Sequence, residues 1–188
     1  MKVHFQDVNT PVLLKKAIMN LMKSKNEIVF VCVGTDTSTG DSLAPLIGTA
    51  LQQESTRRPF NKVHVFGTLH DPIHGKNINE KRREISFKHP NAYSIAIDSC
   101  LGLTKNIGLI SVKETPLKPG SGVNKDLPPI GDASILGTVN IGGFLEHYVL
   151  QSTRLSLVMD MANVISSAII DAIREIERQD WQVQRKYS

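Results

Sequence analysis

The sequence is poor in cysteine, aromatic rings and long apolar runs. Its 188 residues include two cysteines, Cys32 and Cys100, and one tryptophan, and aromatics make up 5% of the chain. Two cysteines cannot build the disulfide framework of a small secreted domain, so a reducing cytoplasm is the expected compartment. No uncharged apolar run reaches the roughly 18 residues that a bilayer demands, and the opening MKVHFQDVNT lacks an apolar signal core. No membrane association is expected. A nucleotide-phosphate loop is missing too: Gly34 and Gly40 are separated by five residues and followed by Asp41-Ser42, where a P-loop has four and then Lys-Ser/Thr. The dinucleotide fingerprint is absent as well.

What is present is an ordinary globular composition, 40% hydrophobic and 21% charged, in a length that suits one domain spanning 1–188. The net charge is +4. Basic residues are scattered except at Glu80–Glu84 (EKRRE) and in the tail QRKYS, so the charge does not single out nucleic acid as a partner.

Periodicity gives the element order. Thr10-Pro11 opens a helix whose expected inner face is Val12, Leu13, Ala17, Ile18, Leu21 and Met22. Glu27–Val33 is a β-branched and aromatic run of the kind buried on both faces of a parallel sheet. A helix is expected to start between Asp41 and Ala44, because Pro45 must lie in its first turn. Strands are expected at Lys62–Thr68, Ala92–Asp98, Asn106–Val112 and Ala133–Ile141, with a helix candidate over KNINEKRREISFK and a loop over Glu114–Asp132. A short helix follows in GGFLEHYVLQS. The final helix carries Leu155, Val158, Ala162, Ile165, Ile169, Ile173 and Ile176 at spacings of three and four. Strands alternating with helices predict an α/β fold: three layers around a doubly wound, mainly parallel sheet.

In such folds the working groups gather beyond the carboxyl ends of the strands. That rule selects Asp36 and Asp41 after the first long strand, in GTDTSTGDSLAP, and Asp98 at the expected end of the third. Two carboxyls brought close together cannot both ionise readily, so one acts as base toward water while the other stays protonated and polarises a carbonyl. The plainer roles, a helix N-cap for Asp41 and a turn residue for Asp98, stand beside this one. His70 and His74 have the i, i+4 spacing of a metal helix, which Pro72 interrupts. From a loop they can still join the carboxylates, so a divalent metal held by Asp41, Asp98 and His70 stays open. No other cofactor is indicated. His147 reads as a packed or surface residue.

The segments CVGTDTSTGDSLAPLIG, VFGTLHDPIHGKN, IAIDSCLG and KPGSGVNKDLPPIGD together resemble the YyaC family of sporulation proteins of spore-forming bacteria, from about Glu27 to the last helix. Three of them look more distantly like the germination protease that degrades spore proteins, and the implied fold is similar to that of the hydrogenase maturation endopeptidases. The resemblance sets Asp41 and Asp98 at the protease's two functional aspartates and PGSGVNK at its glycine-rich loop. It implies a peptidase-like hydrolase acting on a protein or peptide, spore proteins among the candidates. Gly34, Thr35, Gly40, Ser42, Gly120, Ser121 and Gly122 are then expected to orient the substrate chain. In the maturation endopeptidases the two acidic positions correspond to ligands of a nickel-type metal. A non-catalytic metal- or peptide-binding regulator and a homo-oligomeric assembly remain alternatives. Leu43-Ala44-Pro45 departs from the related Leu-Gly-Pro turn.

Overall fold

A computed structural model describes residues 1–119 and 128–186. In chain order the elements are β1 (Lys2–His4), α1 (Thr10–Met22), β2 (Ile28–Cys32), a 3-10 turn over Gly40–Ser42, α2 (Leu43–Arg57), β3 (Val63–Phe66) and α3 (Ile78–Lys88). They are followed by β4 (Tyr93–Gly102), β5 (Leu109–Lys113), β6 (Ala133–Ile141), α4 (Glu146–Gln151) and α5 (Leu155–Lys186). The six strands form one sheet in the order β1-β5-β6-β4-β2-β3. Strands β3, β2, β4 and β6 run parallel, while β5 and β1 add an antiparallel edge.

Alternation along the strands divides the interior in two. Ile28, Phe30, Ile95, Ile97 and Ile135 face the layer of α1, α2 and α5, while Val29, Val31 and Ala96 face α3 and the segment that precedes β6. Helix α5 closes the larger core with Val158, Met161, Ala162, Ile165, Ala168, Ile169, Ala172 and Ile173, all buried. Each large aliphatic side chain among them contributes about 1.5–3 kcal/mol by leaving water. By length and composition α5 could cross a bilayer, but its apolar stripe already lies against α1, α2 and the sheet.

Four expectations need correction. The inner face of α1 is Leu14, Ile18, Leu21 and Met22; Val12 and Leu13 are exposed. Thr10, buried, donates its hydroxyl to the His4 carbonyl at 2.6 Å and so sets the rotation of the helix against β1. Leu155 is exposed as well, because the stripe of α5 begins one turn later. The strand expected from Asn106 starts only at Leu109, since Thr104–Asn106 coil into a 3-10 turn. The strand expected to stop at Asp98 runs on to Gly102, because β6 keeps supplying partners from Leu136 to Ile141 across a bulge at Cys100/Leu101. Strand β1 carries no sequence signal at three residues.

Helix α2 approaches β2 and β3 through a contact that excludes side chains. A Cβ at Gly48 would collide with the Gly67 carbonyl and sit 3.2 Å from Cys32 Sγ. Cys32 is fully buried there, and desolvation pushes its thiol up to about 12. Gly48→Ala is therefore expected to destabilise by about 1–3 kcal/mol, despite the ~1 kcal/mol that alanine gains over glycine in a helix. Urea unfolding checks this; a midpoint at or above that of the parent chain would show that α2 does not sit so close.

Candidate functional site

From β2 the chain leaves toward β3 on one side, and from β4 toward β6 and β5 on the other, so the winding of the sheet reverses between β2 and β4. A crevice opens at the carboxyl ends of these two strands, as it does at the switch point of doubly wound folds. Its volume is about 810 Å³ and its walls carry Asp36, Asp41, His74, Asp98, Cys100 and His147.

Two local features bring the acids together. The first is Gly34, at φ +152°, where a Cβ would collide with the Asp41 carbonyl oxygen. Thr35 N–H donates to the same carbonyl at 3.2 Å, and Gly34 N–H donates to the Ile73 carbonyl at 2.7 Å. The loop thus folds flat over the end of β2 and returns Asp41 to the sheet. The second is the unequal length of the strands. Pairing between β2 and β4 ends at Cys32–Ile97, whereas β4 stays paired with β6 beyond that point. Asp98 is the first residue of β4 past the end of β2, held by a strand yet open on the side of the Asp41 loop.

Neither acid fills the plainer role. Helix α2 has Ser42 at its N-cap, and no side-chain capping bond is made there or at the 3-10 turn. Asp98 lies inside a strand, its Oδ1 accepting from Ser99 N–H at 2.8 Å. By surface area Asp98 is only half-buried, yet its carboxyl sits deep enough in protein that desolvation drives its pKa well above the usual carboxylate range. The Ser99 amide opposes this and the charge of Asp41 adds to it. Burial also raises Asp41, with Ser38, His147 and Ser99 each favouring its charged form. Ser38 is 4% exposed; its hydroxyl acts as a dipole near Asp41 but forms no aligned hydrogen bond among the described residues. A buried, unsatisfied hydroxyl therefore stands beside the acid pair.

The remaining expected residues divide. Gly34, Thr35 and the exposed Asp36 line the crevice; Thr35 Oγ1 lies 3.5 Å from Asp36 Oδ1 and 3.0 Å from Thr37 Oγ1. Gly40 and Ser42 are buried behind it, Gly40 against Leu150 and Thr153, and Ser42 donating its hydroxyl to the Thr39 carbonyl at 2.7 Å. Gly120, Ser121 and Gly122 lie outside the described residues. His70 is exposed and is not in the crevice wall; the histidines there are His74 and His147. Pro72 turns the chain between His70 and His74, and the Asn77 side chain fixes the turn by accepting from His74 N–H and donating to the Pro72 carbonyl. Nothing in its spacing marks His147, which reaches the site from α4, while Ser38 sits in the GTDTSTGDSLAP loop itself, three residues before Asp41, as one of several hydroxyls there that spacing does not tell apart. Cys100 also lines the crevice, its thiol raised mainly by desolvation. Among the described residues no third histidine, cysteine or carboxylate closes on Asp41 and Asp98 as a preformed metal centre requires.

A mixed sheet with helices on both faces and a crevice at its switch point make this an α/β fold. The chain superposes on the crystal structure of a NiFe hydrogenase maturation protease, HycI from Thermococcus kodakarensis KOD1, with a TM-score of 0.57 over 84% of this chain and 98% of that one. At 15% identity the likeness is one of fold. The chain belongs to the family described as "Protein of unknown function (DUF1256)", whose profile matches residues 2–168. It is similar to "Uncharacterized protein YyaC" of Bacillus subtilis (strain 168), at 48% identity over 158 residues, 84% of this chain and 73% of that protein.

The raised pKa of Asp98 has a stability consequence. The folded chain binds a proton there that the unfolded chain releases near the ordinary carboxylate value, so stability is full below that value and falls as pH rises through the folded pKa. Asp98→Asn removes the penalty. It is expected to raise the melting temperature at neutral pH and to lose that advantage below about pH 4; thermal melts across pH check it, and a lower melting temperature at pH 7 would contradict the assignment.

Proposed function

We propose that the protein is a peptidase-like hydrolase of sporulation, working in the cytoplasm on a protein or peptide chain, with Asp41 and Asp98 as its reactive pair. The reading rests on one observation: two carboxyls from different elements face one water-accessible crevice, where burial, with the Asp41 charge adding to it, holds Asp98 toward its protonated form. Asp98, the more strongly shifted, holds its proton and donates it to the carbonyl oxygen of the scissile bond. Asp41, whose charged form Ser38, His147 and Ser99 favour, takes a proton from the water as its oxygen bonds to the carbonyl carbon. That proton then passes to the amide nitrogen as the C–N bond breaks, and the new carboxylic acid returns a proton to Asp98. Ser38, buried behind Asp41, is assigned to holding that carboxylate in its charged form. Asp36, exposed at the mouth, is assigned to substrate contact.

A polypeptide substrate is favoured by the rim. Tyr148, 65% exposed, lies on the short helix that carries Glu146, His147 and Leu150 into the crevice wall, and Ile141, Phe144 (88% exposed) and Leu145 immediately precede it. Exposed apolar groups close along the chain to the lining of a cleft are a common mark of a binding surface. The same rim would serve a regulator that binds peptides without cutting them, and an assay separates the two readings.

Purified protein incubated with spore proteins or an unfolded polypeptide, with fragments read by mass spectrometry, is expected to show cleavage. Asp41→Asn and Asp98→Asn are each expected to lower the rate by about 10²–10⁴-fold while the fold persists by circular dichroism. Cleavage at the parent rate by either folded variant would remove that aspartate from the reaction, and no cleavage by the parent chain would leave the regulator. Phe144→Ser combined with Tyr148→Ser is expected to raise KM about tenfold with kcat little changed; an equal loss in kcat would place the rim in the chemical step.

A further inference from the structure

A second group of titratable side chains lies at the other end of the sheet. Glu27 immediately precedes β2, His64 is the second residue of β3, and His89 follows α3 just before β4. All three therefore sit at the amino ends of the strands, roughly 17 Å, the length of β2, from the crevice. Glu27 Oε1 lies 2.8 Å from His89 Nδ1 and 2.9 Å from His64 Nε2. The imidazole rings are 4.0 Å apart between centroids and inclined by 30°. One ligating atom from each of the three residues falls within 4.8 Å of the other two, and among the described residues no other trio of histidine, cysteine or carboxylate does so.

We propose that Glu27, His64 and His89 form a binding site for one divalent cation of the zinc class, with a coordination position left to solvent.

Three observations carry this beyond a chance pairing. First, the backbone of every ligand is already fixed. The Glu27 carbonyl accepts from Tyr93 N–H at 2.9 Å, His64 is opposite Val29 in the parallel ladder, and His89 N–H closes α3 on the Ile85 carbonyl at 2.8 Å. Binding would immobilise only side chains. Second, the surroundings suit a metal that keeps one open position. His89 is mostly buried with the edge of Phe66 against it, whereas His64 and Glu27 are about a third exposed on the solvent side. Third, the charge is not otherwise met: among the described residues no lysine or arginine lies within 4.0 Å of Glu27, whose only ionic partners are the two imidazoles.

The donor set selects the ion. Two imidazoles and one carboxylate match the three-ligand zinc sites that leave a fourth position free, and imidazole disfavours magnesium and calcium. Metal–ligand bonds of roughly 2.0–2.2 Å in a tetrahedral site set donor atoms about 3.3 Å apart. The two nitrogens need to draw back from the Glu27 oxygen by a few tenths of an ångström and to settle at a similar separation from each other, starting from within 4.8 Å, a movement that falls mainly to the partly exposed His64 and Glu27 side chains. An ion bound there would join the end of α3 to the β2–β3 edge, and so act on stability independently of any reaction in the crevice.

The test uses the whole chain. Zinc titrated calorimetrically into metal-free protein is expected to bind one ion per chain with a dissociation constant at or below about 10 µM, and to raise the melting temperature. Cobalt(II) in its place is expected to give the visible absorption of a tetrahedral nitrogen–oxygen site without a thiolate charge-transfer band. Glu27→Gln, His64→Ala and His89→Ala are each expected to weaken zinc binding at least about tenfold, while the Asp41→Asn/Asp98→Asn double variant binds as the parent does. Should a histidine variant not fold, zinc-induced shifts of the His64 and His89 ring resonances in the parent protein replace it. Absence of saturable zinc binding, binding that survives loss of either histidine, binding lost with the crevice acids, or unmoved His64 and His89 resonances would each overturn the proposal.

Discussion

The site depends on an empty space at residue 34. A loop that leaves β2 and returns to the sheet must fold flat against the strand end, and it does so by laying the Asp41 carbonyl where a side chain at Gly34 would stand. With the loop lifted by one methyl group, Asp41 would leave β4 and the two carboxyls would no longer sense each other. The unequal lengths of β2 and β4 supply the other half, since Asp98 is presented at the sheet rim while still held in register by β6. Backbone packing brings the acids together, and Ser99 of β4 interacts with both carboxyls once they are there.

That arrangement works against stability. An acid surrounded by protein disfavours its own charge, and Asp98 meets a second carboxyl rather than a cation. The fold absorbs this because the crevice lies where the two cores meet the strand ends, and the larger core, with aliphatic residues from α1, α2, α5 and the sheet, forms one continuous cluster. Groups with pKa values displaced in this way concentrate where proteins do chemistry. The Glu27–His64–His89 group is the electrostatic opposite: a carboxylate whose partner His89 draws its pKa down, in a setting built to favour charge.

Much of this was legible in the sequence, for reasons particular to each segment. The β-branched runs of β2 and β6 and the three-and-four spacing of α5 are long enough for periodicity to fix type and place. The two aspartates could be selected because the carboxyl ends of parallel strands follow directly from element order. Three things were not legible. Strand β1 is too short to carry a period. The true inner face of α1 depends on the Thr10 hydroxyl bonding to His4, a tertiary choice that overrides two apolar residues. Membership of the crevice by His147, and the meeting of Glu27 with His64 and His89, arise from contacts across 62 positions in the case of His89, for which local spacing holds no trace.

The two cysteines sit at different depths of this architecture, and their chemistry follows. Cys100 faces solvent through the crevice, whereas Cys32 is sealed beneath α2 with its thiolate suppressed. An alkylating reagent would therefore modify the two in sequence, the first as a gauge of what occupies the cleft and the second only when the helix layer separates from the strands. The molecule carries its own clock for partial and complete opening, readable by mass without any added label.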